Sequence, residues 1–180
     1  MAKSFNKYYI FIWFTLCSFT LNSNGILRED VIKYAKSFIG IQEETNRNDG
    51  VFIENVLLKP LKVPAGSAYC AAYVSFIYRD CNIKSPNSAW SPDWAKTKDA
   101  VYLKNKLGDI SNAKKGDVVS FWRESKGRVG HVGIYERKVG NYIYTIEGNT
   151  SDMNDKGRDG IWGRVRHKST IYTVTNYIDK

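Results

Sequence analysis

Ser67-Ala-Tyr-Cys-Ala-Ala-Tyr-Val-Ser-Phe-Ile-Tyr-Arg-Asp-Cys-Asn82 places Cys70, Val74, Ile77 and Cys81 on one stripe of a helix. Pro64, Ala65 and Gly66 precede it and disfavour helix, whereas Ser67 is a good N-cap, so the spacing predicts a helix over 67–81. Cys70 then falls at the third helical position. There the unpaired amides and the helix dipole favour an anion, which lowers a thiol's pKa. Cys81, at the other end of the dipole, lacks that advantage. Eleven residues of helix separate the two Cα atoms by about 16 Å, at about 1.5 Å per residue. A disulfide needs them within about 7 Å. Cys81 therefore reads as a small buried residue, and Cys70 as a candidate nucleophile once a base is found.

Working outward, 28–38 has Val31, Ile32, Tyr34, Ala35 and Phe38 at helical spacing, closed by Gly40. A polar turn at 46–50 leads to a short helix expected over 51–58, ending before Pro60; 85–94, with Pro86 and Pro92, reads as a loop. The period then changes from helical to alternating. Residues 117–122, 131–137, 142–149, 160–166 and 170–178 read as strands. Helices first and strands afterwards predict an α+β fold, with helices packed on one face of an antiparallel sheet.

The chain has 180 residues and a net charge of +9. Residues 1–25 read as a secretory signal: Lys3 and Lys7 make a basic start, an apolar run follows, and Ser23-Asn24-Gly25 offers small residues for cleavage. That run is shorter than the about 20 residues of a membrane span. Removing Lys3 and Lys7 takes the net charge from +9 to +7 and leaves one domain over 26–180. A basic, Tyr-rich exported domain suits an anionic partner. No RNA-binding aromatic motif, zinc spacing or lysine tract points to nucleic acid. Two remaining cysteines are too few for a disulfide framework.

Of the two histidines, His167 lies among exposed basic residues in Arg-Val-Arg-His-Lys168. His131 opens a strand between Gly130 and Gly133. With a three-residue loop over 139–141, Lys138 pairs with Tyr142, His131 lies opposite Asn149, and Gly133 lies opposite Glu147. Alternation then puts His131, Glu147 and Asn149 on one face, and Val132, Ile134, Tyr144 and Ile146 on the other. A two-residue loop would put Glu147 and Asn149 on the wrong face unless a bulge compensates. The resulting chemistry has Cys70 as nucleophile and His131 as its base. Glu147 orients the imidazole, and Asn149 shares that task or helps bind an oxyanion.

Tyr69-Cys-Ala-Ala-Tyr-Val-Ser75, Gly116-Asp-Val-Val-Ser-Phe121, Gly130-His-Val-Gly-Ile134 and Ile146-Glu-Gly-Asn-Thr150 together resemble a CHAP domain. This is the cysteine- and histidine-dependent amidohydrolase/peptidase group among papain-like, NlpC-related enzymes. Residues 43–50 and Ser88-Ala-Trp-Ser-Pro-Asp-Trp94 resemble segments of small exported bacterial members. The resemblance implies a papain-like α+β fold and catalytic Cys70, His131, Glu147 and Asn149. It implies hydrolysis of a peptidoglycan amide, at the glycan–peptide junction or within the stem peptide or cross-bridge, with no metal or organic cofactor. Tyr69 stands where relatives often have Trp. Candidate substrate walls are Tyr69, Trp90, Trp94 and Trp122, with burial in the core an equal alternative. The expected protein is an exported monomer, periplasmic or secreted, that binds no nucleic acid and has no stable membrane association after signal cleavage. A general cysteine protease, an effector amidase aimed at competitors and a non-catalytic wall-binding domain remain open.

Overall fold

The first helix, α1 (Arg28–Lys36), buries Val31, Ile32 and Ala35. Glu29 and Asp30 in its first turn and Lys33 and Lys36 in its last complement the helix dipole. It ends two residues before the expected Phe38, in a turn that reaches Gly40 at φ +99°. The computed structural model describes residues 28–152 and 157–180, so the signal reading of 1–25 lies outside the described residues. Over 51–58 the sequence predicts an ordinary helix. The structure has a π-helical turn, Phe52–Leu58, continued by a 3₁₀ turn, Lys59–Leu61, that takes in Pro60.

The central helix, α2 (Cys70–Asp80), is buried at every residue from Cys70 to Tyr78. Full burial explains why its sequence is apolar all round rather than striped. Ser67 is not its N-cap. The Ser67 amide donates to the Pro64 carbonyl at 3.3 Å in a separate turn, and Tyr69 occupies the cap position. Cys70 is therefore the first helical residue, not the third. The first amide bonded back into this helix is that of Tyr73, to the Tyr69 carbonyl at 2.8 Å.

Six strands follow among the described residues: β1 (Ala100–Leu103), β2 (Val118–Arg123), β3 (Arg128–Val139), β4 (Tyr142–Thr150), β5 (Gly160–His167) and β6 (Thr173–Thr175). They form one sheet in the order β1-β6-β2-β3-β4-β5, antiparallel throughout. The fold is α+β, as the change of period predicts. The short β1 has no counterpart among the expected strands, and β6 is only the centre of the 170–178 run. Val118, Val132, Ile134, Ile146 and Ile161 pack with the helices. Val119, Phe121, Tyr135, Ile143 and Val174 form a second cluster from the opposite parity of the same strands.

The hairpin between β3 and β4 corrects the expected loop and explains why the expected face survives. Val139, not Lys138, pairs with Tyr142, so the loop is the two residues Gly140 and Asn141. That register alone would turn Glu147 away from His131. However, the pairing steps from Arg137↔Tyr144 to Tyr135↔Thr145 and leaves Glu136 as an extra residue. This bulge shifts the inner ladder back by one. Ile134 pairs with Ile146, and the next step brings Gly133 to Glu147. The bulged Glu136 carboxylate accepts from Lys36 of α1 at 2.6 Å and from Arg137 at 2.7 Å.

Candidate active site

Cys70 sits where α2 begins, at the floor of a cleft of about 510 Å³ whose walls include Leu61, Trp90, Lys126 and Arg128. Its thiol is 3 % exposed and lies 3.5 Å from the Ser91 hydroxyl. Burial raises a thiol's pKa, but here the charge of His131, a hydrogen bond with its ring and the Ser91 contact outweigh burial and lower it from 9.0 to about 7. His131 shows the reciprocal effect. Burial disfavours the imidazolium, yet Cys70 and Glu147 raise the ring's pKa from 6.5 to about 9. The two shifts are one coupled event: each group stabilises the charged form of the other. At neutral pH this favours a thiolate–imidazolium pair.

Glu147 fixes the ring. Its Oε2 lies 2.7 Å from His131 Nε2. Because an ionised carboxylate only accepts, the Nε2 proton points at Glu147 and Nδ1 is left for the thiol. The carboxylate is fully buried and accepts further bonds from Thr145 Oγ1 at 2.6 Å and Arg166 Nε at 2.9 Å. Arg166 Nη2 completes a two-pronged grip on the other oxygen. Burial opposes ionisation of Glu147, but the bonds from Arg166 and His131 hold its pKa well below the usual carboxylate range.

Gly133 makes this packing possible. A Cβ at that position would lie 2.6 Å from Glu147 Cγ, and Glu147 cannot swing away without losing bonds to His131, Thr145 and Arg166. Gly133→Ala should therefore lower turnover about tenfold and cost about 1–3 kcal/mol of stability through overpacking. Paired kinetic and thermal-melting measurements check this; unchanged turnover would mean that the ring tolerates a displaced carboxylate.

The structure brings Cys70, His131 and Glu147 together and sends Asn149 elsewhere. Asn149 has φ +56°, which breaks the strand alternation that would have carried it beside His131. Its Nδ2 donates instead to Asn48 Oδ1 at 2.5 Å and Glu43 Oε1 at 3.4 Å. Glu43, 2 % exposed, also accepts from Tyr69 OH at 3.0 Å and the Asn48 amide at 2.8 Å. This carboxylate thus joins the residue before the nucleophile to the end of β4.

The four aromatic candidates divide. Tyr69 is fully buried against Glu43 and is no substrate wall. Trp94 is also fully buried, donates to the Ser88 carbonyl at 2.9 Å and packs edge-on against Tyr78 and Tyr177. Trp90 is half exposed, lines the Cys70 cleft, and carries the Arg128 guanidinium 3.8 Å above its ring. Trp122 lines a different cavity. Three contributors escaped the sequence reading: Ser91 beside the thiol, and Arg166 and Thr145 behind the carboxylate. A basic residue in an alternating strand resembles solvent-facing charge. Only the pairing Ile143↔Arg166, which puts Arg166 on the face of Ile143 and Thr145, could have flagged it.

Cys81 is the contrasting case. It is a free thiol at the far end of α2, and burial together with Asp80 and Asp30 pushes it up to about 11.

A thiol at a helix start, facing a carboxylate-oriented histidine on an antiparallel sheet, defines the papain-like class of cysteine hydrolase site. Within that class, residues 62–149, just under half of the chain, match the model of the CHAP domain. Cys70, His131, Glu147 and Asn149 all lie inside the matched segment. The fold is similar to that of an NlpC/P60 family protein from Bacillus cereus, with a TM-score of 0.51 and 15% identity over 86% of this chain and 41% of that one. A protein similar to lipoprotein of the NLP/P60 family, from Staphylococcus aureus, gives a TM-score of 0.46 at 16% identity, covering 85% and 42%. NlpC1 from Trichomonas vaginalis gives 0.47 at 14%, covering 85% and 45%. The chain thus spans under half the length of these solved structures. No curated protein matches it.

Proposed function

We propose that the protein is an exported hydrolase that cleaves an amide of peptidoglycan through a Cys70 thioester, as an N-acetylmuramoyl-L-alanine amidase or a stem-peptide or cross-bridge endopeptidase. The observation that carries the reading is the line Cys70–His131–Glu147, whose Cys70 end borders an open cleft. Residues 26–180 act as one catalytic domain. The Cys70 thiolate attacks the substrate carbonyl, and the oxyanion forms near the Cys70 amide, whose place at the first helical position leaves it without a partner inside the helix. Imidazolium His131 gives its proton to the leaving amine. Water then hydrolyses the thioester with His131 as base, releasing the acid and restoring the ion pair. Trp90, Arg128 and Lys126 offer the substrate an aromatic and basic wall. Among the described residues no helix is long and apolar enough to cross a membrane.

Peptidoglycan incubated with the protein should release fragments with new amine termini, and their masses identify the amide cut. Cys70→Ala should abolish release, and Cys81→Ala should leave it within about twofold, as for a substitution away from the chemistry. Equal release by wild type and Cys70→Ala would refute the reading, and casein cleavage without muropeptide release would replace it with a general protease.

A further inference from the structure

A second cavity, about 490 Å³ in volume, opens between the end of β2, the end of β5 and the segment 168–172. It is separate from the Cys70 cleft: neither Cys70 nor Trp90 borders it, and Arg166 stands between it and Glu147. Trp122 and Tyr172 form an aromatic wall with ring centroids 5.1 Å apart, and Trp122 remains 38 % exposed. Lys104, Arg123 and Arg166 supply cations around this wall, against one carboxylate, Glu124. Lys104 is positioned by its bond to the Ser169 carbonyl at 2.8 Å. Arg166 spends Nε and Nη2 on Glu147, so Nη1 is the nitrogen left for a ligand. A large exposed indole beside a second ring suits the flat apolar face of a sugar, while the cations suit a carboxylate or phosphate. The volume matches an ordinary small-molecule site.

We infer that this cavity is a binding site for an anionic sugar, held by stacking on Trp122 and Tyr172 and by Lys104 and Arg123. Such a site would hold the protein on an acidic glycan independently of what happens at Cys70. It does not rest on the hydrolase reading, because binding is measured without turnover.

The test uses the full chain with 5-fluorotryptophan, titrated with N-acetylmuramic acid and followed by fluorine NMR. The Trp122 resonance, assigned with Trp122→Phe, should move saturably while that of Trp90 stays still. N-Acetylglucosamine, which lacks the carboxylate, should bind about tenfold or more weakly, a loss equal to one charge-assisted contact. Arg123→Gln with Lys104→Gln should weaken N-acetylmuramic acid by at least as much, and Glu124→Gln should tighten it. Glucose 6-phosphate distinguishes the sources: comparable affinity means that any anionic sugar serves, and weak binding means that the carboxylate is selected. A still Trp122 resonance, movement at Trp90 instead, or equal affinity for the neutral sugar would overturn the inference. Unaltered affinity in the Lys104 and Arg123 variant would do the same. Alkylation of Cys70 should leave all these values unchanged, so loss of catalysis and loss of this site are separately visible.

Discussion

Replacing His131 by alanine should lower kcat/KM for amide cleavage by about 10⁴-fold, through two separable losses. The first is ionisation. With the imidazolium gone, burial governs the thiol, and its pKa returns to at least its ordinary 9.0 from about 7. At pH 7 the thiolate fraction then falls from about one half to about one per cent. The second is proton donation to the leaving amine, an effect worth about 10²–10⁴. Measuring kcat/KM on a soluble muropeptide alongside the alkylation rate of Cys70 separates them. Alkylation should fall about 50-fold, and turnover by much more. Equal losses in both would assign His131 to thiol activation alone.

Glu147→Ala should combine the largest stability loss with a large loss of rate. Glu147 is fully buried and accepts from His131, Thr145 and Arg166. Its removal strands a guanidinium and a hydroxyl that face no other carboxylate in this network. Breaking one side of a buried ion pair costs about 3–5 kcal/mol, which in a domain of this size lowers the melting temperature by on the order of 10 °C. Turnover at a temperature where the variant is still folded should drop about 100-fold or more, because nothing then holds Nδ1 toward the thiol. Glu147→Gln keeps the side-chain volume, so it should recover much of the melting temperature but less of the rate. A variant that melts normally and turns over normally would show that the ring is oriented by its packing alone, for instance against Phe121 at 5.5 Å between ring centroids.

The sequence was most informative where chemistry restricts the choice of residue. Two histidines, one of them between glycines in a strand, and a cysteine at a helix start allowed few pairings. The period change from helix to strand was enough for the layer order, because it depends only on which side chains are apolar. The hairpin was harder. The preferred three-residue loop was wrong, and the other route that keeps Gly133 facing Glu147, a two-residue loop with a compensating bulge, is the one the chain takes. A bulged Glu136 looks like any strand glutamate; its place depends on Lys36, 100 residues away in sequence. Asn149 was misplaced because strand alternation assumes extended backbone, and its φ is +56°. Asparagine is among the residues that tolerate this region, so the exception is physically ordinary even though alternation hides it. Tyr69 and Trp94 were offered as cleft walls because aromatic residues serve cores and clefts alike. Their burial follows from the packing of α2 and the 88–94 segment, including the bond from Ser75 Oγ to the Ser88 carbonyl at 2.9 Å.

The thiolate–imidazolium pair is the heart of this account, and the pH dependence of cysteine alkylation reads it most directly. Iodoacetamide labelling of the wild-type protein, mapped by peptide mass spectrometry, gives a separate rate for each thiol at each pH. Because the Cys70 pKa is lowered, its thiolate forms as pH rises through about 7, and the ion pair lasts until His131 loses its proton near 9, above which the thiolate remains without its cation. These are apparent values of the pair. Cys81 should become reactive only toward about 11. The account predicts an alkylation midpoint for Cys70 near pH 7 that moves to 9.0 or above in His131→Ala. A Cys70 midpoint already at 9.0 in the wild type, or labelling of Cys81 as fast as Cys70 at pH 7, would contradict it.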